Sequence, residues 1–154
     1  MTRRHQWVRR TDRKVPLSVI GPKVRPASST NPESWASYSA VSRSTAGAGI
    51  GFVLSATDRL VCIDLDHALL EGELRPWARR IVDTLPTTYI EISPSGTGLH
   101  AWGFGTVGQG RRIRRGESSV EVYDRGRYIT VTSEPFKNAP STLADLTRVI
   151  ADLL

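Results

Sequence analysis

The sequence has a single cysteine and no long apolar run, and each scarcity excludes a class of protein. Because Cys62 is the only thiol among 154 residues, the chain can form no internal disulfide and no cysteine-rich zinc site. No apolar stretch reaches the roughly 18 residues of a membrane span, and no secretory-type leader is visible. We therefore expect a cytoplasmic protein with no zinc and no membrane partner.

Positive charge is the first feature that the sequence does have. The formal charge is +6 and the isoelectric point is about 10.1, which favours an anionic partner such as nucleic acid or a nucleotide. Residues 1–27 hold eight lysines and arginines against one acid, Asp12. We expect residues 1–27 to form a basic arm or edge segment and 28–154 to form the main domain, with one compact unit from about residue 14 on.

Apolar spacing and turn residues predict short strands alternating with helices. In chain order we expect a short helix from Pro32 capped by Asn31, a hairpin of strands 50–54 and 59–66, a helix over 74–85, strands 89–92 and 99–102, a basic loop over 111–117, a hairpin of strands 119–123 and 127–132, and a helix capped by Ser141 or Thr142. This order favours an α+β fold with a mostly antiparallel sheet and helices packed on one side.

Two acids interrupt the end of an apolar strand in VCIDLDHAL, residues 61–69. Asp64 and Asp66 share one face of a strand, with Cα atoms roughly 6.5 Å apart. Two carboxylates about 5 Å apart repel by about 3 kcal/mol at an effective dielectric near ~20. A divalent cation offsets that repulsion. The alternative is that Asp66 caps a turn while Asp64 pairs with an arginine.

A glycine-rich turn, SPSGTG over 93–98, precedes His100. Small hydroxyls and glycines expose backbone N–H groups, and such a nest suits a phosphate. His100 on the following strand is placed to donate to a phosphate oxygen. The alternative is a tight hairpin turn followed by a half-buried histidine.

A third acid, Glu121, lies between two valines of the strand SSVEVY. It is either on the solvent face of the sheet or a third metal ligand. Arg127 follows the next turn. We expect it either to bind a phosphate or to pair with Glu121 or Asp124 across the strands. Three carboxylates, a phosphate-type turn and an arginine together fit a site for two divalent ions and a nucleoside triphosphate.

The motif order D-x-D, S-P-S-G-x-G-x-H and E-V-Y-D-x-G-R-Y-I-T-V-T resembles the archaeo-eukaryotic primase superfamily. It is most similar to the primase–polymerase domains of phage and plasmid replication proteins, over roughly residues 14–133. The resemblance implies that residues 28–154 form a primase–polymerase catalytic domain, and that its fold is an RRM-like catalytic sheet packed against an N-terminal α/β unit. It also implies two-metal transfer of a nucleotide to a 3′-hydroxyl on a single-stranded DNA template.

The resemblance also implies roles for individual residues. The catalytic acids Asp64, Asp66 and Glu121 are expected to bind two Mg²⁺ or Mn²⁺ ions. Triphosphate binding falls to the fourth catalytic residue, His100, helped by Ser93, Ser95, Gly96 and Gly98, with Arg127 and Tyr128 in a nucleotide or template role. One departure is Gly98, where many members have serine, so that the serine's role passes to Ser93, Ser95 or backbone N–H groups.

Single-stranded DNA and nucleoside triphosphates are the partners that follow, with a helicase domain or subunit beside them. We expect DNA phosphates to contact Lys14, Arg111, Arg112, Arg114 and Arg115. Two other functions stay open. One is a non-catalytic single-strand- or origin-binding module of a replication initiator, and the other is a metal-dependent nuclease using Tyr123 and His67.

Overall fold

The computed structural model describes residues 1–108, 110–115 and 118–154, with the side chains at 114, 115 and 118 outside that description. The strands are β1 (Trp7–Arg10), β2 (Pro16–Ser18), β3 (Arg25–Pro26), β4 (Gly49–Val53), β5 (Leu60–Asp66), β6 (Leu69–Leu70), β7 (Glu73–Leu74), β8 (Ile90–Ile92), β9 (Leu99–Phe104), β10 (Arg111–Arg115), β11 (Ser118–Tyr123), β12 (Tyr128–Val131) and β13 (Ala144–Asp145). The helices are a 3-10 turn (Pro32–Ser34), α1 (Tyr38–Arg43), α2 (Pro76–Val82) and α3 (Thr147–Leu153). Mostly antiparallel sheets with few helices confirm the α+β class.

The chain divides into two compact units. The first contains residues 1–54 and 126–132, and the second contains residues 55–125 and 133–154. The boundary expected between residues 27 and 28 matches neither limit, because strands β1 to β3 of the basic segment belong to the sheet of the first unit. Among the described residues, no helix combines the length and the apolar character that crossing a membrane requires.

The first unit is built on a five-stranded sheet in the order β12-β4-β1-β2-β3. Its core centres on Trp7, whose ring makes edge contacts with Tyr38 at 4.8 Å and Phe52 at 5.1 Å between ring centroids. Asn31 accepts a hydrogen bond from the backbone N–H of Glu33, as its predicted capping role requires.

The second unit is built on a six-stranded sheet in which β10, β11, β5 and β9 are neighbours in that order. Strand β9 pairs at its other edge with β8 and, in parallel, with β13. One face of β5 presents Val61, Ile63 and Leu65, which are fully buried. These residues belong to an apolar core completed by α2 and α3. The period of two residues in β5 therefore turns Asp64 and Asp66 to the opposite face.

Two predicted hairpins are wrong. Strand β4 pairs with β1 and β12, whereas β5 pairs with β9 and β11. The same separation applies to β11 and β12, which join different sheets although the turn at residues 124–126 lies between them. Turn residues specify that the chain changes direction, but they do not specify which strand edges pair.

Three further predictions need correction. The basic stretch expected as a loop contains strand β10, paired over five residues with β11 because Ile113 on its core face packs into the apolar cluster. The last helix begins at Thr147 rather than near Ser141, since Ala144 and Asp145 pair with β9 first. Helix α2 is shorter than expected and ends at Val82.

Candidate active site

The two predicted acids of β5 lie on the face opposite the apolar core of the second unit. The side chain of Asp64 is 29% exposed and that of Asp66 is 44% exposed. Asp66 lies 4.0 Å from Nε2 of His67, whose φ of 54° places it in the left-handed region at the strand end. The structure thus confirms that the pair of carboxylates shares one polar face.

A transverse row of ionisable residues crosses five strands through Asp64. The Cα partners run from Arg112 to Glu121, from Glu121 to Asp64, from Asp64 to His100 and from His100 to Glu91. Directly opposed residues on paired strands project to the same face, so the sheet brings Asp64, Glu121 and His100 together. The sequence predicted these three as neighbours without predicting the strand order that joins them.

His100 lies between two carboxylates and is 5% exposed. Its Nε2 is 3.8 Å from Oδ1 of Asp64, and its Nδ1 is 3.4 Å from Oε1 of Glu91. The ring is therefore fixed from both sides within the sheet. A buried imidazole with both nitrogens facing acids can hydrogen-bond to either carboxylate, and the predicted binding of phosphate by His100 stays a prediction.

Glu91 is the residue of this row that the sequence analysis missed. It is fully buried at 0% exposure, although carboxylates are rarely found there unless they are paired. Its flanking residues, Ile90 and Ile92, form the same apolar–acid–apolar pattern that singled out Glu121 between Val120 and Val122. That pattern was the available signal.

Both carboxylate oxygens of Glu121 have partners. Arg112 Nε lies 2.6 Å from Oε1, and the hydroxyl of Tyr123 donates to Oε2 at 2.9 Å. The side chain of Glu121 is 17% exposed and that of Arg112 is 46% exposed. Glu121 is thus held in the row by one ion pair and one hydrogen bond from a tyrosine hydroxyl.

The donor set fits a hard cation in its chemistry, since carboxylate oxygens are the ligands that Mg²⁺ and Mn²⁺ prefer. Asp64 and Asp66 are the most suitable pair, because they share a face and stay partly exposed. Across residues 1–108, 110–115 and 118–154, however, no three His, Cys, Asp or Glu side chains come close enough to hold a metal ion. Glu121 would first have to release its ion-pair partner Arg112 before it could bind a metal ion, so metal binding stays a prediction.

The turn between β8 and β9 has the compact form that its sequence predicts. The N–H of Ser93 donates to Gly98 O at 2.9 Å, and Gly96 closes the turn with a φ of 74°. A chain of hydroxyls joins Ser93 to Ser95 at 3.0 Å and Ser95 to Thr97 at 3.1 Å. Small polar groups therefore line the turn that leads into His100, and phosphate binding there stays a prediction.

Gly98 has no room for a side chain. A Cβ atom at this position would lie 2.7 Å from Ser93 Oγ and 2.9 Å from the carbonyl oxygen of Leu65. The hydroxyl of Ser93 thus fills the space beside residue 98. That Ser93, rather than Ser95 or backbone N–H groups, takes the role of a serine at position 98 stays a prediction.

The pKa of Cys62, the residue two positions before Asp64, is raised by burial and by nearby negative charge. The thiol is fully buried, and burial raises its pKa well above the ordinary value. The charges of Asp64 and Glu91 raise that pKa further. The thiol is therefore protonated across the physiological range.

The remaining predicted residues are distributed over both units. Arg111 and Arg112 lie on strand β10, whereas the side chains of Arg114 and Arg115 lie outside the described part of the structure. Tyr128 belongs to the first unit, where its hydroxyl donates to the carbonyl of Lys14 and its ring covers Gly51. Arg127 lies in the same unit and accepts a backbone hydrogen bond from Leu54. Roles for these residues in DNA or nucleotide binding stay predictions.

Comparison with known proteins links the chain to a replication enzyme. No family model matches the sequence. The DNA Primase-polymerase of Nitratiruptor phage NrS-1 is 37% identical over 141 residues, which cover 84% of this chain and 19% of the phage protein. The chain therefore spans about a fifth of that relative's length. This similarity supports a primase–polymerase family for the chain.

Proposed function

We propose that the chain is a DNA primase–polymerase domain of phage or plasmid replication. It would transfer a ribo- or deoxynucleotide to a 3′-hydroxyl on a single-stranded DNA template. The observation that carries the proposal is the row of Glu121, Asp64 and His100 on adjacent strands, in a chain similar to a phage primase–polymerase. The superfamily and the RRM-like sheet implied by the sequence motifs belong to the same proposal.

The acids would hold the divalent ions. Asp64 and Asp66 provide the partly exposed pair of ligands, and Glu121 would join them after releasing Arg112. Bound Mg²⁺ or Mn²⁺ would lower the pKa of the attacking 3′-hydroxyl and neutralise the triphosphate and the leaving pyrophosphate. We propose two ions, since one is needed for each of these roles.

The polar turn and its histidine would bind the incoming triphosphate. His100 Nε2 faces Asp64 at 3.8 Å, so the imidazole presents this nitrogen on the side of the acids. The hydroxyls of Ser93 and Ser95 and the glycine backbone at 96 and 98 lie on the turn just before it. Charge-assisted hydrogen bonds from such groups position the α-phosphate for attack and raise affinity for the nucleotide.

Arginines of β10 would contact the template. The strand lies at the edge of its sheet, and Arg112 is half-exposed beside Glu121. When Arg112 leaves Glu121 it gains a phosphate as partner while the acid gains a metal ion. DNA binding and metal binding would therefore support each other, and a helicase domain or subunit would supply the unwound strand.

A specific observation favours a second function, a non-catalytic single-strand-binding module. The same Arg112–Glu121 ion pair neutralises the third predicted ligand without any metal. In this alternative the sheet keeps its polar row as a structural feature, and the basic residues alone bind DNA.

One assay separates these functions. The protein is incubated with primer–template or bare single strand, labelled nucleotides and Mn²⁺, beside Asp64→Asn and the exposed control Asp83→Asn. Product from wild type and Asp83→Asn but not from Asp64→Asn supports the polymerase. DNA binding without product supports the binding module, and Mn²⁺-dependent cutting of the strand supports a nuclease.

A further inference from the structure

Glu91 is a buried carboxylate directly behind the predicted triphosphate-binding histidine. Its Oε1 accepts from Trp102 Nε1 at 3.3 Å and lies 3.4 Å from His100 Nδ1. Its Oε2 accepts from the Tyr89 hydroxyl at 2.9 Å and from the backbone N–H of Ser133 at 3.0 Å. Burying a carboxylate is costly unless hydrogen bonds satisfy it, and here each oxygen has at least two partners among the described residues.

The partners determine where the hydrogens lie. An indole N–H and a backbone N–H can only donate, so Trp102 and Ser133 each need an acceptor oxygen. The site therefore fits a carboxylate, which only accepts, better than it fits a carboxamide. A hydrogen bond between Nδ1 of His100 and that carboxylate, 3.4 Å apart, needs Nδ1 as the donor because the carboxylate only accepts. The same ring orientation turns Nε2 towards Asp64.

We propose that Glu91 is a positioning residue for His100. It fixes the imidazole with Nδ1–H held inside the sheet and Nε2 directed at the acid side, where the triphosphate would bind. Carboxylates behind ligand-binding histidines act in this way on the ring orientation and the tautomer. The identity of the ligand rests on the proposed function, whereas the link between Glu91 and His100 rests on geometry alone.

A merely structural role for Glu91 makes a different prediction. Its bonds also join β8 to β9 through Trp102 and to the segment at Ser133, so losing them lowers stability in either case. Only a positioning role changes the protonated nitrogen of His100 and the affinity for nucleotide in a variant that still folds. The test therefore measures directly which ring nitrogen of His100 carries a proton.

The first measurement uses the wild-type protein without nucleotide. Nuclear magnetic resonance of ¹⁵N-labelled histidine rings reports which nitrogen is protonated, and His100→Asn assigns the signal among the three histidines. We expect a proton on Nδ1. Absence of that proton overturns the proposal, whatever the variants do.

The second measurement uses Glu91→Gln, with Glu73→Gln as a matched control on an acid whose side chain is 71% exposed. In Glu91→Gln the amide can turn either its oxygen or its N–H₂ towards the ring, so we expect the fraction of rings with a proton on Nδ1 to fall. We also expect kcat/KM for nucleotide to fall about tenfold or more, mainly through KM. Glu73→Gln should leave both unchanged.

The outcomes separate this proposal from the proposed function. A folded Glu91→Gln protein with an unchanged ring and unchanged KM overturns the positioning role. A wild-type protein that makes no product but shows the expected ring states contradicts the polymerase and leaves the positioning role supported. If Glu91→Gln does not fold, the presence or absence of a proton on Nδ1 of His100 in the wild-type protein decides whether the positioning role holds.

Discussion

Arg112 Nε donates to Oε1 of Glu121 across 2.6 Å, which ties a predicted DNA contact to a predicted metal ligand. The two residues are direct partners on β10 and β11, so strand register places them together. An ion pair whose arginine is 46% exposed is worth only about 0.2–1 kcal/mol. A metal ion or a DNA phosphate can therefore compete for either partner.

Replacing Arg112 with alanine should strengthen metal binding. Without its ion-pair partner Glu121 is available as a ligand, and we expect Mn²⁺ to bind up to about fivefold tighter. Electron paramagnetic resonance of free Mn²⁺, without DNA, measures this affinity. Arg79→Ala is the matched control, because it removes the same charge from an exposed pair with Glu73. Equal gains in the two variants would contradict a specific link to Glu121.

The fit between Gly98 and Ser93 predicts non-additive mutations. Gly98→Ala places a methyl group 2.7 Å from Ser93 Oγ, and such overpacking costs about 1–3 kcal/mol of unfolding free energy. Adding Ser93→Ala removes the clash with Oγ but not the one at 2.9 Å with the carbonyl oxygen of Leu65, so the rescue should be partial, with the double variant more stable than the sum of the single changes. Urea unfolding of the four proteins measures the coupling, and strict additivity would show that Ser93 does not fill the space beside residue 98.

Local patterns predicted much of the second unit's sheet. The alternation in β5 correctly placed Asp64 and Asp66 on one face, and the turn at 93–98 correctly joined β8 to β9. Pairings between distant segments were not predictable. Strand β5 pairs with β11, more than 50 residues later, and no local signal specifies such a partner.

The site shows the same limit at the level of single residues. Glu121 was predicted because two other motifs supported a functional reading of an acid between valines. Glu91 has the same setting between isoleucines, but an isolated acid in a strand is typical of a solvent face. The pattern between isoleucines was thus a signal that could be interpreted in two ways, and the strand order, which puts Glu91 beside His100, shows that it is buried at the site.

Asp124 should stabilise the second unit in a pH-dependent way. It is 2% exposed; burial raises its pKa, but hydrogen bonds from Arg125 and from the N–H groups of Val107 and Gly108 outweigh that effect and lower the pKa below its ordinary value of 3.8. A lowered folded-state pKa gives stability that is present above the ordinary value and lost as pH falls through the folded value.

The variant Asp124→Asn should therefore lose about 1.5–3 kcal/mol of unfolding free energy at neutral pH. Its difference from wild type should shrink as the pH falls below the ordinary pKa of 3.8, because the folded-state pKa lies lower. Chemical unfolding across this range measures both effects, and Asp83→Asn serves as an exposed control. A difference that does not depend on pH would refute the assignment.

Cys62 should resist alkylation in the folded protein. Burial and the charges of Asp64 and Glu91 raise its pKa, so the reactive thiolate is scarce and inaccessible. At about pH 8.5 we expect labelling by iodoacetamide to be at least about a hundredfold slower than in urea. The unfolded thiol ionises first, so stability should fall as pH rises past the ordinary value. Similar labelling rates in the two states would mean that β5 is not buried as described.

Direct measurement of Mn²⁺ binding shows whether the acid face of β5 holds divalent ions. Electron paramagnetic resonance titrations compare wild type with the double variant Asp64→Asn and Asp66→Asn, with Asp83→Asn as control. We predict that the tightest Mn²⁺ binding disappears in the double variant and persists in the control. Identical Mn²⁺ binding by all three proteins would contradict the account.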